Sequence, residues 1–157
     1  MTPEEESKKN AHYEYDRLIA AASDLGMAVD IEETVDYVVI WVLLEDWRNS
    51  ERRLLLKLKC DDYPQQAPFL ECVNPKAFID RTLRGDVKVE FYPLGSHIAV
   101  DHTRSPMPII CIPGHRLYHA NNWHPQTPWV NPPKEQHTIY GFVTRVRSAF
   151  LDTWTQK

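Results

Sequence analysis

Apolar residues recur at Ala11, Tyr15, Leu18, Ala22 and Leu25, in steps of three and four that place them on one face of an α-helix. Ahead of that stripe, Thr2, Pro3 and Glu5 have the form of a helix start: a hydroxyl at the cap, a proline at the first helical position and a carboxylate that can reach back. Gly26 follows the stripe and tolerates the left-handed backbone that ends helices. The pattern predicts a helix over residues 3–25. From Tyr37 the period changes. "YVVIWVLLE" (37–45) is rich in β-branched and aromatic residues, and "RRLLLKLKC" (52–60) alternates, with Leu54, Leu56, Leu58 and Cys60 on one face. The polar "DWRNS" between them has hairpin length, which makes the two runs antiparallel neighbours. A third run, "FLECV" (69–73), follows a proline-bounded turn, and there Cys72 is in phase with Leu70.

From Asn74 to Pro133 the periodic signal weakens. "NPKAFIDRTLRGD" has the look of an insertion, "DVKVEFY" and "HIAVD" read as short strands, and Pro106, Pro108, Pro113, Pro125, Pro128, Pro132 and Pro133 exclude a long helix. A helical stripe returns at Ile139, Phe142, Val143, Val146, Phe150 and Trp154. These elements predict one α+β domain over residues 1–157, an antiparallel β-meander of about four strands packed against N- and C-terminal helices. Leu56, Leu58, Trp41, Phe142 and Val146 are expected in one core.

A chain of 157 residues, 43% of them hydrophobic, is long enough to bury such a core. The net charge of -4, with Lys and Arg scattered along the chain, offers no footprint for nucleic acid. The longest apolar run, "YVVIWVLL", is far short of a membrane span, and the polar start does not read as a signal peptide. No membrane association and a cytoplasmic location are the expectation. Three cysteines, Cys60, Cys72 and Cys111, suit free thiols better than a disulfide framework.

Chemistry concentrates in "IICIPGHRLYHANNWHP" (109–125). Cys60 and Cys72 lie in phase with strand leucines and read as small buried hydrophobes, which leaves Cys111 as the candidate reactive thiol. Cys111, His115 and His119 also stand four residues apart, with His97, His102 and His124 in reserve, so a Cys/His metal site is a second reading. Pro113 and Gly114 argue against the helix that would align those ligands, and no Cys-x-x-Cys pair anchors a closed zinc site. A structural thiol among polar loop histidines is the third.

The stretch "LLLKLKCDDYPQQAPFLECV", with Tyr63, Pro64, Ala67 and Pro68, resembles the signature of ubiquitin-conjugating enzymes. The order of elements is similar too: a first helix, a meander, an irregular segment with one cysteine, a Trp-x-Pro at Trp123–Pro125, then helix. The chain resembles in particular the divergent conjugating enzymes of bacterial ubiquitin-like operons. That resemblance implies a cysteine transferase that takes a ubiquitin-like modifier from an activating enzyme as a thioester on Cys111 and passes it to an acceptor, with no cofactor. The family's His-Pro-Asn tripeptide is absent, its nearest echo being Tyr92-Pro93-Leu94, and Gln65 stands where many relatives carry a ligase-docking aromatic. His119 is then the candidate base, Asn121 or Asn122 the candidate amide donor, and Lys8, Lys9 and Arg17 candidate contacts for the activating enzyme. Trp123 and Trp129 read as packing residues more readily than as the lining of a partner groove. A catalytically inert variant that binds a modifier or scaffolds a partner stays open beside the enzyme.

Overall fold

The computed structural model describes residues 1–84, 98–99, 109–120 and 124–155. The capping box at the start of the chain forms as the sequence predicts: Thr2 Oγ1 accepts the Glu5 amide at 3.1 Å and the Glu5 carboxylate accepts the Thr2 amide at 2.9 Å. The helix it opens, α1, runs Pro3–Leu25 and closes on Gly26 at φ 61°, a left-handed cap that a side chain would disfavour.

The sheet begins at once, with β1 at Met27–Glu33, earlier than the expected start at Tyr37. In β1 Met27, Val29 and Ile31 alternate with Asp30 and Glu32, a period-two signal carried by so few apolar residues that the richer runs downstream overshadow it. Strands β2 (Val38–Asp46), β3 (Asn49–Lys59) and β4 (Phe69–Val73) complete an antiparallel meander in the order β1-β2-β3-β4. Only Trp47 and Arg48 separate β2 from β3, because the pairing continues through a bulge at Glu45/Asp46 into what reads in sequence as connection. Asp46 makes that tight turn hold: its buried carboxylate accepts from Arg48 Nε at 2.9 Å and Arg52 at 3.1 Å, and the Arg48 hydrogen bond keeps its pKa below the usual carboxylate range. A two-residue strand pair, β5 (Ile98–Ala99) with β6 (Ile109–Ile110), leads into Cys111. The expected strands over 86–92 and 97–101 lie outside the described residues apart from Ile98 and Ala99.

The C-terminal helix, α2 (Ile139–Thr155), buries Ile139, Phe142, Val143, Val146 and Phe150. They share one core with Ala11 and Leu18 of α1, and with Ile40, Val42, Leu44, Leu54, Leu56, Leu58, Leu70 and Cys72 on one face of the sheet. Trp41 is not among them, contrary to the sequence expectation. Successive strand residues face opposite ways, so Trp41, one place from Ile40 and Val42, joins Val39, Leu43, Leu55, Val73 and Ala77 on the other face. The apparent insertion after β4 covers that face as two 3-10 turns, Pro75–Phe78 and Arg81–Arg84. Arg84 lies with its guanidinium 4.4 Å from the Trp41 ring centroid and bonds Ala77 O, Phe78 O, Asp30 and Glu32, so that each nitrogen of this buried cation has a partner.

One buried junction joins both helices to the turn after β3. Glu14 of α1, almost wholly buried, accepts from Arg17 at 3.1 Å, from the Tyr63 hydroxyl at 3.3 Å and, more weakly, from the Tyr140 amide in the first turn of α2 at 3.5 Å. Ser7 Oγ donates to Cys60 O at 2.8 Å and accepts the Tyr63 amide at 3.1 Å.

Helix α2 meets the 3-10 turn Glu135–His137 so closely that a Cβ at Gly141 would stand 2.2 Å from Glu135 O and 2.8 Å from Gln136 Cα. Gly→Ala within a helix ordinarily stabilises by about 0.5–1 kcal/mol. Here the sign reverses: Gly141→Ala is expected to destabilise the fold by about 1–3 kcal/mol, since backbone must move to admit the methyl. Denaturant unfolding checks this; a midpoint equal to or above the parent's contradicts the packing.

Candidate functional site

The three cysteines are free thiols in different surroundings. Cys60 and Cys72 are fully enclosed in the core beneath the sheet, where burial pushes both thiols up, out of the range in which they ionise. This agrees with the phase that the sequence assigns them. Cys111, immediately after β6, is only partly buried and lines an open groove of about 360 Å³ with Ile112, Arg145, Ser148, Ala149 and Asp152. Arg145, Ser148 and Asp152 are exposed and stand three and four residues apart on α2, so they form the wet stripe opposite the helix's apolar one. Sequence reasoning passed over this second wall of the groove, although the spacing of those three residues was available to it. Burial raises the pKa of the Cys111 thiol. A nucleophilic step there would have to include removal of the thiol proton.

The chain beyond Cys111 is tied into the protein by its own side chains. Arg116 donates its backbone amide to Pro68 O at 2.8 Å, its Nε to Ala67 O at 3.1 Å and a terminal nitrogen to Asp61 at 2.7 Å. Trp129 Nε1 donates to Pro64 O at 2.9 Å, and its ring lies 6.3 Å from that of Tyr63. The Tyr63–Pro68 turn, the stretch that carries the family resemblance, therefore serves as the platform for the cysteine-bearing segment. Trp129 packs there, as the packing reading expects.

His119, the candidate base, has both ring nitrogens occupied. Nδ1 meets Thr127 O at 2.8 Å and Nε2 accepts the Gly114 amide at 3.0 Å, which requires the neutral tautomer with its proton on Nδ1. Burial lowers its pKa further. This geometry makes His119 a loop-closing residue, its one lone pair already taken by the Gly114 amide. Gly114 itself sits at φ 128°, and a Cβ there would stand 2.7 Å from Phe142 Cβ, so the tight turn after Cys111 needs glycine on both counts. His115 is buried, with Nε2 2.6 Å from Ile110 O and Nδ1 without a partner. Asn121, the other candidate catalytic residue, lies outside the described residues, as do Asn122, Trp123, His97, His102 and the Tyr92-Pro93-Leu94 stretch. Cys111, His115 and His119 do not share a helix, and among the described residues no group of three or more His, Cys, Asp or Glu is arranged to hold a metal ion. Of the basic residues on α1, Lys8 bonds Thr34 O at 2.8 Å and Arg17 is engaged by Glu14 and Glu135, while Lys9 is exposed.

Comparison with protein-family models, with curated proteins and with solved structures finds no match to this chain. Among the described residues no helix is long and apolar enough to cross a membrane.

Alkylation of the native protein at neutral pH should modify Cys111 alone, with Cys60 and Cys72 reacting only on unfolding. Cys60→Ser and Cys72→Ser should each lower stability by about 1–3 kcal/mol, the cost of a poorly partnered hydroxyl in an apolar site. Peptide mass mapping and thermal melting read both effects, and native labelling of Cys60 or Cys72 ahead of Cys111 contradicts the assignment.

Proposed function

We propose that this chain is a cytoplasmic conjugating enzyme for a ubiquitin-like modifier, with a ubiquitin-conjugating-enzyme-like fold and Cys111 as the thioester-forming residue. The observation that carries the reading is the sorting of the cysteines: the one in the irregular segment after the meander opens on a groove, and the two in the core, Cys60 just after β3 and Cys72 on β4, are sealed. In support, the elements follow the order that the resemblance implies, and the Tyr63–Pro68 turn bears directly on the cysteine segment.

In this reading the Cys111 sulfur attacks the carbonyl of the modifier's C-terminal thioester on the activating enzyme. A new S–C bond forms, the activating enzyme's thiolate leaves, and the Cys111 proton passes to solvent or to that thiolate. In the second step an acceptor nucleophile attacks the same carbonyl, loses its proton and expels the Cys111 thiolate. The exposed stripe of Arg145, Ser148 and Asp152 gives the polar wall along which the modifier tail or the acceptor would lie. His119 enters as a positioning residue that closes the loop after Cys111, not as the base.

A catalytically inert variant of the same fold, binding a modifier or scaffolding a partner, is the second reading. The observation on its side is that burial raises the Cys111 pKa while His119 spends both nitrogens on backbone.

Incubation with activating enzyme, ATP and modifier separates the two. Conjugation requires an adduct that a reducing agent removes, its conversion by Cys111→Ser to an adduct that resists reduction, and none with Cys111→Ala. If Cys111→Ala still forms the adduct, the nucleophile lies elsewhere. Binding of modifier with no adduct in the parent protein establishes the inert reading.

A further inference from the structure

Four of the histidines gather in and beside the segment that follows Cys111, and they touch one another and aromatic rings in place of carboxylates. His115 packs 5.6 Å from the Phe142 ring on α2 and 6.3 Å from Tyr118. His119 lies 5.1 Å from Tyr118, 5.4 Å from Trp129 and 5.4 Å from His137. His124 stacks on Tyr118 at 3.9 Å with the planes 8° apart. Two buried nitrogens in this cluster, His115 Nδ1 and His137 Nδ1, have no hydrogen-bond partner among the described residues.

The bonds that His115 and His119 make to the backbone of the segment depend on the protonation state of their rings. The Gly114 amide is held by the lone pair of His119 Nε2, and a proton there would turn an acceptor into a second donor facing a donor. His115 bonds the carbonyl of Ile110, the residue before Cys111. Charging it would bury a cation with an N–H at Nδ1 that has nothing to receive it. The groups facing the cluster do not relieve this. Tyr118, Trp129 and Phe142 bring only ring surface to the cluster, and Lys134 and Arg145 act on His137 with the same sign as its own charge. Arg116 on the same segment is paired with Asp61, and Glu135 is paired with Arg17. Among the described residues no carboxylate bonds any of the four rings.

We propose that His115, His119 and His137 form an acid-sensitive latch on the segment that carries Cys111: neutral, they hold residues 110–120 closed and packed against Phe142 of α2 and against Trp129, and protonated, they loosen the segment. The titration has one direction. Burial, the largest cause for each, lowers the pKa of His115 to about 4 and lowers those of His119 and His137 below the ordinary histidine value of 6.5. The released form therefore takes up protons more readily than the latched one. The latch is at full strength above pH 6.5 and is lost progressively as pH falls from there toward 4. Its position brackets Cys111, since one anchor is Ile110 and another is Gly114, so release alters the backbone on both sides of the thiol whatever chemistry the thiol performs.

Hydrogen exchange measured by mass spectrometry at pH 7.5 and pH 5.0, corrected to equal intrinsic rates, tests this on the full chain. Peptides spanning residues 110–119 should lose protection by about tenfold or more at the lower pH, the equivalent of one unit of pKa difference, while β2 and β3 keep theirs. His115→Gln keeps a donor for Ile110 O, and His119→Gln offers an amide to both of its backbone partners; neither side chain titrates. Each variant should reduce the pH dependence to about half or less on a logarithmic scale, since it removes one of the linked protonations. Protection of 110–119 that is equal at the two pH values, or that falls together with β2 and β3, overturns the latch. So does an undiminished pH dependence in both variants. Should either variant fail to fold, the parent profile and the other variant decide.

Discussion

The carboxylate of Glu14 is the point on which the two helices and the turn after β3 converge. A buried charge is tolerated only with partners, and removing one from such a site costs on the order of 3–5 kcal/mol. Glu14 draws its partners from three parts of the chain: Arg17 one turn along α1, the Tyr63 hydroxyl at the start of the Tyr-Pro turn, and the opening amide of α2. The last of these is a donor that a helix start leaves unpaired and that favours a negative charge. Once α1, Tyr63 and α2 are fixed relative to one another, the Tyr63–Pro68 turn has a set position, and the cysteine segment is built on that turn through Arg116 and Trp129.

The sheet supplies the rigid side of this arrangement. β2 is buried on both faces along nearly its whole length, under the helices on one side and the 3-10 turns with Arg84 on the other. Cys60, just after β3, and Cys72, on β4, are locked into the apolar core against this sheet, which keeps both thiols from ionising without any change in residue type. Cys111 escapes that fate because it comes just after a two-residue strand, where the chain turns out along α2. Exposure among three identical side chains is thus decided by their position in the layers.

The histidines are the opposite case. Rings that suggest acid-base or metal chemistry in sequence are used in the described structure largely as scaffold, bonding backbone groups and packing on aromatic rings. The two uses share a requirement, since a ring that accepts a backbone amide must be neutral. The same bonds that fix the loop therefore make it responsive to protons, and they hold His119 in a state where it cannot take a proton from a neighbour without giving up the loop.

Much of the fold was legible in the sequence, because it rests on local rules. The capping box of Thr2 and Glu5, the glycine stop at Gly26, the alternation of Leu54, Leu56, Leu58 and Cys60, and the stripe from Ile139 to Phe150 each encode an element and its buried face. The burial of Cys60 and Cys72 follows from the same periodicities. Strand β1 was missed where the alternation was sparse, and Trp41 was assigned to the wrong face by treating an apolar strand as if it had one buried side. Only the tertiary structure decided that the second face of the sheet is covered, that α2 presents Arg145, Ser148 and Asp152 beside the thiol, and that His119 is spent on Gly114 and Thr127. Those facts depend on groups distant in sequence or on the hydrogen bonds of an irregular loop, and neither leaves a period along the chain. Side-chain spacing encodes which face of an element is apolar; what that face meets, and which lone pairs remain for chemistry, is settled when the elements pack.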